Sequence, residues 1–529
     1  MISLFHIAAL AVGLGTGTVS DVAVAESQPS DVATRCDVLA ADPADTTRPE
    51  HVAGVDIHLI NSGEAIAACE AAVAVSPGDA RLQFQLGRAF ESAGQYARAL
   101  TWYLKAADES QARAISSVGT FYEDGNAVPQ DLDAAAHWYE RAASLGDRTA
   151  MYNRGLLYDE GDGHSIDYAK AMEWYRKAAA LGDPDAMNNI GILYENGQGV
   201  NADIVEAFRW YSKGASAGSP VAINNVAIMY DDGTGGVQAD PEKAFELHLN
   251  AAELGNSDGM YDTGVMYENG KGVPRNYAEA VRWYQAAAEQ DHAEATNSLG
   301  LMYQRGLGVE KNYRKALELF RRADELGAPD AAFNLGTMYQ LGYGVKQDYA
   351  QAMNLFRLSA SENLPAAMNS LGNLYQHGLG TPPDIQQAID WYRKAADGDN
   401  AEAALNLGAI YRQGLGVMKD ERAAFDWYAK ASDLGNPAGD VGMAELYDHG
   451  QTIQRDTGEA VDRMLKALAT GEPAALDALF NRWASWSEDF RSRLQDRLKA
   501  KGLLKGDKSD AMTPALESVL KSLLDQNTP

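Results

Sequence analysis

Gly214-Ala215-Ser216-Ala217-Gly218 has the Gly-x-Ser-x-Gly spacing of a nucleophile elbow, where a sharp strand-to-helix turn presents a serine hydroxyl to a base. That chemistry needs a strand before the serine. Here the segment aligns in register with Lys177-Ala178-Ala179-Ala180-Leu181-Gly182, which reads as the end of a helix, so the match is accidental. His292-Ala293-Glu294 has the His-x-Glu spacing of a zinc deaminase, but no Pro-Cys-x-x-Cys partner follows it. The other histidines are dispersed, without the i, i+4 pairing of ligands on one helix face. With nine histidines and two cysteines, the sequence offers no catalytic set, no metal ligands and no cofactor loop. It reads as a protein that is not an enzyme.

What recurs instead is a spacing. Gly119, Gly155, Gly191, Ala227, Gly264, Gly300, Gly336, Gly372, Gly408 and Ala444 follow one another at 36 residues, with one step of 37 after Ala227. The extra residue shows in Gly233-Thr234-Gly235-Gly236-Val237, against Gly197-Gln198-Gly199-Val200. A tyrosine stands three residues after each small residue, from Tyr122 to Tyr447. Further on, an alanine precedes Trp174-Tyr175, Trp210-Tyr211, Trp283-Tyr284, Trp391-Tyr392 or Trp427-Tyr428. Elsewhere the pair becomes Leu247-His248, Leu319-Phe320, Leu355-Phe356 or Arg463-Met464.

Each unit reads as two helices. The first has apolar residues at helical spacing, as in Met187, Ile190 and Tyr194, and ends at glycines suited to a left-handed C-cap. The residue before the small position and the tyrosine after it are expected to form its packing stripe. The second helix begins near Asp203 or Tyr277 and ends at Lys-Ala-Ala-x-x-Gly. One pair cannot bury its apolar face alone, so the expectation is an all-α fold, an α/α superhelical solenoid of stacked pairs.

The joint pattern Leu-Gly-x-x-Tyr, Gly-x-Gly-Val, Ala-x-x-Trp-Tyr and Lys-Ala-Ala resembles the Sel-one-like repeat (SLR), a relative of the tetratricopeptide repeat found in bacterial secreted and periplasmic proteins. Ten such units fill residues 112–470. Residues 80–111, with Leu86-Gly87, Tyr96, Ala99 and Trp102-Tyr103, lack the Gly-x-Gly insertion and resemble a tetratricopeptide repeat. The resemblance implies a non-catalytic scaffold that binds a protein or extended peptide. It also implies that positions −3, −2, +1, +4 and +5 around the small residue of the first helix line a concave groove.

Two columns on that face could recognise a partner. Asparagines recur at −2 or −3, including Asn153, Asn189, Asn225, Asn334 and Asn406. An amide donates and accepts at once, which suits a peptide backbone; the same amides could equally tie adjacent helices together. At +4 and +5 the first five units carry Asp124, Glu160, Glu195, Asp231, Asp232 and Glu268. The next four carry Gln304-Arg305, Gln340-Leu341, Gln376-His377 and Arg412-Gln413. The acidic part would steer a basic segment of a partner to the N-terminal half; the alternative is a solvated acidic face that keeps the chain soluble.

Composition and the two ends complete the reading. Forty-five basic against 74 acidic side chains leave a net charge of −29, which disfavours nucleic acid as a partner. Residues 1–25, apolar and ending in Ala23-Val24-Ala25, read as a cleaved signal peptide. The mature chain would then be periplasmic or secreted, with no membrane span. In such a compartment Cys36 and Cys69, both within an N-terminal cap at 26–79, could join as a disulfide or stay as buried thiols. Residues 471–529 read as helices at 476–486, 490–501 and 514–524. They are similar to a peptidoglycan-binding-like module, although Asp507-Lys508-Ser509-Asp510 replaces its usual Asp-Gly-x-x-Gly. A cell-wall-associated role is therefore the alternative function, and a cap on the solenoid's apolar end is the alternative structure.

Overall fold

The repeating unit folds as the helix pair its periodicity demands, in a computed structural model that describes residues 29–161 and 165–525. Among these residues the regular structure is helical throughout, without strands. The chain divides after Asp240 into two compact units. The first holds Pro29–Ala40, Ser62–Val75 and the pair Ala80–Ser92 with Tyr96–Asp108. Ala112–Asp124 pairs with Leu132–Ser144, Arg148–Glu160 with Tyr168–Ala180, and Pro184–Asn196 with Ile204–Ser216, before Pro220–Asp232. The second unit runs from Pro241–Glu253 through helix pairs that begin at Ser257–Asn269 and end at Ala438–His449 with Thr457–Ala469.

One contact joins the two columns of the sequence. Tyr139, Tyr175, Tyr211, Tyr284 and Tyr392, from second helices, are fully buried. Each ring lies against the small residue of its own first helix. A Cβ added at Gly155 or Gly191 would meet the ring of Tyr175 or Tyr211 at 2.5 Å. Gly300 and Gly336 stand in the same relation to Phe320 and Phe356. In the last pair the ring is replaced by Met464 and the small residue by Ala444, both fully buried in one core. The position is small because the ring needs the room.

The loop insertion has its own geometry. Gly197 ends the first helix in the left-handed region (φ 66°), its N–H donating to the Leu193 carbonyl. A Cβ on Gly199 would fall 2.7 Å from the carbonyl carbon of Tyr168, in the second helix of the preceding pair. The Gly-x-Gly loop is thus where one pair rests on the last. Asp203 closes it: its amide donates to the Tyr194 carbonyl at 2.8 Å, and its carboxylate caps the second helix at Val205 and Glu206. Asn276, Asp384, Asp420 and Asp456 repeat this double role.

Within each unit, some successive first helices touch directly. Such contacts join Ala112–Asp124 to Arg148–Glu160, Pro184–Asn196 to Pro220–Asp232, and Ala401–Gln413 to Ala438–His449, while successive second helices have no comparable contact.

The packing stripe of the first helix needs a correction. Residues before the small position, such as Ile190 and Leu299, are buried, but so are those two after it, such as Leu193 and Met302. The tyrosines three after it are only half-buried. Their hydroxyls need a polar partner and find one outside the core: Arg176 donates to Tyr194 at 3.0 Å, and Arg357 to Tyr375 at 2.9 Å.

At the N-terminal end, a Cys36–Cys69 disulfide joins Pro29–Ala40 to Ser62–Val75. This segment docks on the first pairs through buried charge: Arg113 holds Asp42 at 2.7 Å, and Arg88 donates to the carbonyls of Ala40 and Val55. Burial pushes the Asp42 carboxyl up, but Arg113 and Arg88 outweigh it and hold it below its ordinary value. The signal-peptide reading at 1–25 lies outside the described residues.

At the C-terminal end, Pro473–Phe480 is shorter than expected. A 3-10 turn at Trp483–Ser485 follows it, then Glu488–Ala500 and Pro514–Asp525. The break lets both tryptophans turn inward: Trp486 donates its indole N–H to the Ala478 carbonyl at 3.0 Å, and Trp483 to that of Asp510 at 2.8 Å. Both pack with Phe490, Leu494 and Leu498 against Val461, Met464 and Leu468. These residues therefore close the apolar end of the last pair.

Gly191→Ala should lower stability although alanine favours a helix by about 1 kcal/mol, because overpacking of this kind costs roughly 1–3 kcal/mol. Chemical denaturation should show a lower midpoint for the variant, and partial recovery when Tyr211→Met is added. An unchanged midpoint for Gly191→Ala contradicts the role assigned to the ring.

Candidate interaction surface

The first-helix face is assembled by amides. Asn225 donates to the Asn188 oxygen at 2.8 Å, Asn334 to Asn297 at 2.9 Å and Asn406 to Asn369 at 3.2 Å. Each bond runs from position −2 of one pair to −3 of the pair before it. Asn189 accepts from Asn188 at 3.4 Å and reaches the hydroxyls of Tyr152 and Tyr175. Asn153 reaches the hydroxyl of Tyr139. Burial and the charge of Asp185 push the Tyr152 hydroxyl up to about 12. Amides so engaged have less to offer a peptide backbone, and they set the register of the wall.

The +4 carboxylates are likewise committed. Tyr211 donates to Glu195 at 2.5 Å, Tyr284 to Glu268 at 2.7 Å and Tyr175 to Asp159 at 2.8 Å. Tyr103 and Tyr139 do the same to Glu91 and Glu123. Burial and the Glu268 carboxylate push the Tyr284 hydroxyl far above its ordinary value, so it stays a donor. Where the ring is Phe320 or Phe356, with no hydroxyl, position +4 is Gln304 or Gln340. Gln376 serves Tyr392 through its carbonyl oxygen at 3.0 Å. Much of the change from acidic to neutral along this column therefore follows the tyrosine hydroxyl rather than a ligand.

The +5 residues lie further out. Asp124, Glu160 and Asp232 are exposed, while Asp231 at +4 is half-buried. Asp124 accepts from Asn126 at 3.2 Å. One turn earlier, at +1, stands a column that composition alone hides: Leu156 and Ile192 are partly exposed and Ile228 is 41% exposed. Its signal in the sequence was a row of β-branched or aliphatic residues directly after the small position.

The motifs that imitate catalysis have structural roles. Ser216 ends Ile204–Ser216, and its hydroxyl donates to the Ser212 carbonyl at 2.8 Å. His292 caps Ala293–Arg305 by accepting from the Ala295 amide at 3.2 Å, and its other nitrogen lies 3.2 Å from Asp258. Among the described residues, no cluster of three or more His, Cys, Asp or Glu could hold a metal ion, and no helix is long and apolar enough to cross a membrane.

Within the second unit, a cavity of about 270 Å³ is lined by Arg412, Lys419, Glu421, Glu445, His449, Arg482 and Trp486. Its cations are paired: Glu445 takes both Arg412 and Arg482. Glu421 takes Lys419 at 3.0 Å and accepts from the Gln451 and Thr452 amides at 2.6 and 3.0 Å. Burial opposes ionisation of Glu421, but Thr452, Lys419 and Gln451 outweigh it and lower its carboxyl to about 2.

The Sel1 repeat family matches the chain over 82–110, 112–147, 149–183, 184–219, 220–256, 257–292, 293–327, 329–364, 365–400, 401–436 and 439–467. The first of these covers the segment that resembles a tetratricopeptide repeat. Among solved structures, the chain is similar to a protective antigen present in uropathogenic Escherichia coli strains displaying an SLR fold. That likeness has 29% identity over 87% of this chain and 94% of the other, with a TM-score of 0.62. A Sel1 repeat protein from Oxalobacter formigenes is 33% identical over 46% of this chain and 96% of its own, with a TM-score of 0.44. No curated protein matches.

Two measurements follow. Tyr284→Phe should cost about 0.5–1.5 kcal/mol by leaving Glu268 without its donor. Adding Glu268→Gln, which recreates the pairing of Gln304 with Phe320, should recover part of that loss in a double-mutant cycle; strict additivity contradicts the coupling. Because the folded Glu421 carboxyl lies below its ordinary 4.5, its stabilisation is complete above that pH and is lost as pH falls toward about 2. Melting of Glu421→Gln across this window should depend on pH less than the parent does.

Proposed function

From the premise that the chain belongs to the Sel1 repeat family, we propose that it is a non-catalytic scaffold that binds a partner protein along its first-helix faces. Repeat proteins of this superfamily present extended, inward-curving surfaces to other proteins. One observation carries the reading: Asn–Asn bonds hold consecutive first helices in register, while the +1 and +5 side chains on the same face remain accessible. Function lives in such a face rather than in the fold.

The partner contains a basic segment, drawn to Asp124, Glu160 and Asp232. The setting is the cell envelope, periplasmic or secreted. The Cys36–Cys69 disulfide supports this, because such bonds persist in oxidising compartments. The C-terminal helices act as a cap: Trp483, Trp486 and Phe490, the aromatic residues a sugar would stack on, are buried against the last pair.

A photo-crosslinker placed at Asp232 or Arg305 on first helices, and at Arg209 or Arg282 on second helices, tests the reading. Capture of one partner from the first-helix positions alone is the expected outcome. Equal capture from both sets would sink it.

A further inference from the structure

The first unit carries two aligned rows on its first helices. Leu156, Ile192 and Ile228 form one, preceded by Thr120; Asp124, Glu160, Asn196 and Asp232 form the other, four residues further on and so one turn along the same face, acidic at all but Asn196. Ile228 is 41% exposed, as is Val221 at the start of the same helix, while Ile223, Val226 and Met229 are buried. The second unit lacks this combination. Its +1 positions pass from Val265 and Leu301 to Thr337, Asn373 and Ala409, and its +5 positions are Asn269, Arg305, Leu341, His377 and Gln413. An aliphatic stripe beside exposed carboxylates selects a ligand that is apolar and cationic at once.

The spacing of the rows restricts its shape. The Asn225–Asn188 bond of 2.8 Å keeps neighbouring first helices in direct contact, which corresponds to axes about 8–10 Å apart. An extended chain advances about 3.1–3.3 Å per residue, so every third residue meets the next helix. We propose that the first-helix face of residues 112–232 binds an extended partner segment with an aliphatic residue at every third position and Lys or Arg between. The aliphatic side chains lie along Leu156, Ile192 and Ile228. The cations between them face Asp124, Glu160 and Asp232. This rests on the scaffold reading and names the ligand class of that face.

The probe is a labelled synthetic peptide of Leu-Lys-Lys triplets, titrated against the full chain by fluorescence anisotropy. Controls are a Leu-Glu-Glu peptide and a peptide of the same composition with its leucines contiguous. Saturable binding of the first alone, weakening with salt, is expected. Ile192→Lys with Ile228→Lys should weaken it at least about tenfold, and Leu301→Lys in the second unit should leave it unchanged. Should the isoleucine variant melt early, Asp124→Lys with Asp232→Lys, at exposed positions, replaces it with the same expected loss. Equal binding of the control peptides, or affinity indifferent to both sets of first-unit variants, overturns the proposal. Partner crosslinks confined to first helices, together with failure of the triplet peptide, would reject this ligand class and leave the scaffold reading standing. Crosslinks on second helices would reject both.

Discussion

The structure depends on an aromatic ring resting on a residue with no side chain. Second helices such as Tyr168–Ala180, Ile204–Ser216 and Tyr313–Glu325 deliver Tyr or Phe onto the glycine of the partner helix, at a distance that even a methyl group would violate. This fixes how the helices of a pair cross and how far along each other they sit. Once that register is set, the Gly-x-Gly loop rests on the preceding pair and the next unit begins in the same orientation. A wall of first helices is the consequence.

Burying tyrosine rather than phenylalanine has a cost that the first helix must meet. The hydroxyl emerges near position +4 and needs an acceptor, since an unpaired polar group at a half-buried site is expensive. Glu195, Glu268 and Asp159 supply it, Gln376 supplies a neutral version, and Gln304 and Gln340 stand where phenylalanine makes no demand. Neighbouring asparagines join one wall element to the next. Position +5 and position +1 change in character between the two units, from Leu156, Ile192, Ile228 and exposed acids to Thr337, Asn373, Ala409 and neutral or basic residues.

The fold was legible because a 36-residue beat is a global signal, repeated too often for local ambiguity to hide it. The roles of Gly191 with Tyr211 were half-legible: both columns stood out, yet which aromatic lay in the core did not. A helical wheel places Tyr194 toward the interior but cannot show Arg176 waiting for its hydroxyl outside. The acidic column misled for a related reason. Glu195 and Glu268 look like surface charge in one dimension, because their partners Tyr211 and Tyr284 lie 16 residues away on another helix. The tail was misread in part: the helix expected over 476–486 stops at Phe480, and indole hydrogen bonds to backbone carbonyls turn Trp483 and Trp486 inward. Leu156, Ile192 and Ile228 passed unremarked because aliphatic residues beside a buried glycine look like core.

Hydrogen exchange of the full chain, with and without its captured partner, bears most directly on the claim that the ring-on-glycine register exists to present first helices. Added protection should fall on Arg148–Glu160, Pro184–Asn196 and Pro220–Asp232. Protection gained instead on Tyr168–Ala180 and Ile204–Ser216, with the first helices unchanged, would contradict it.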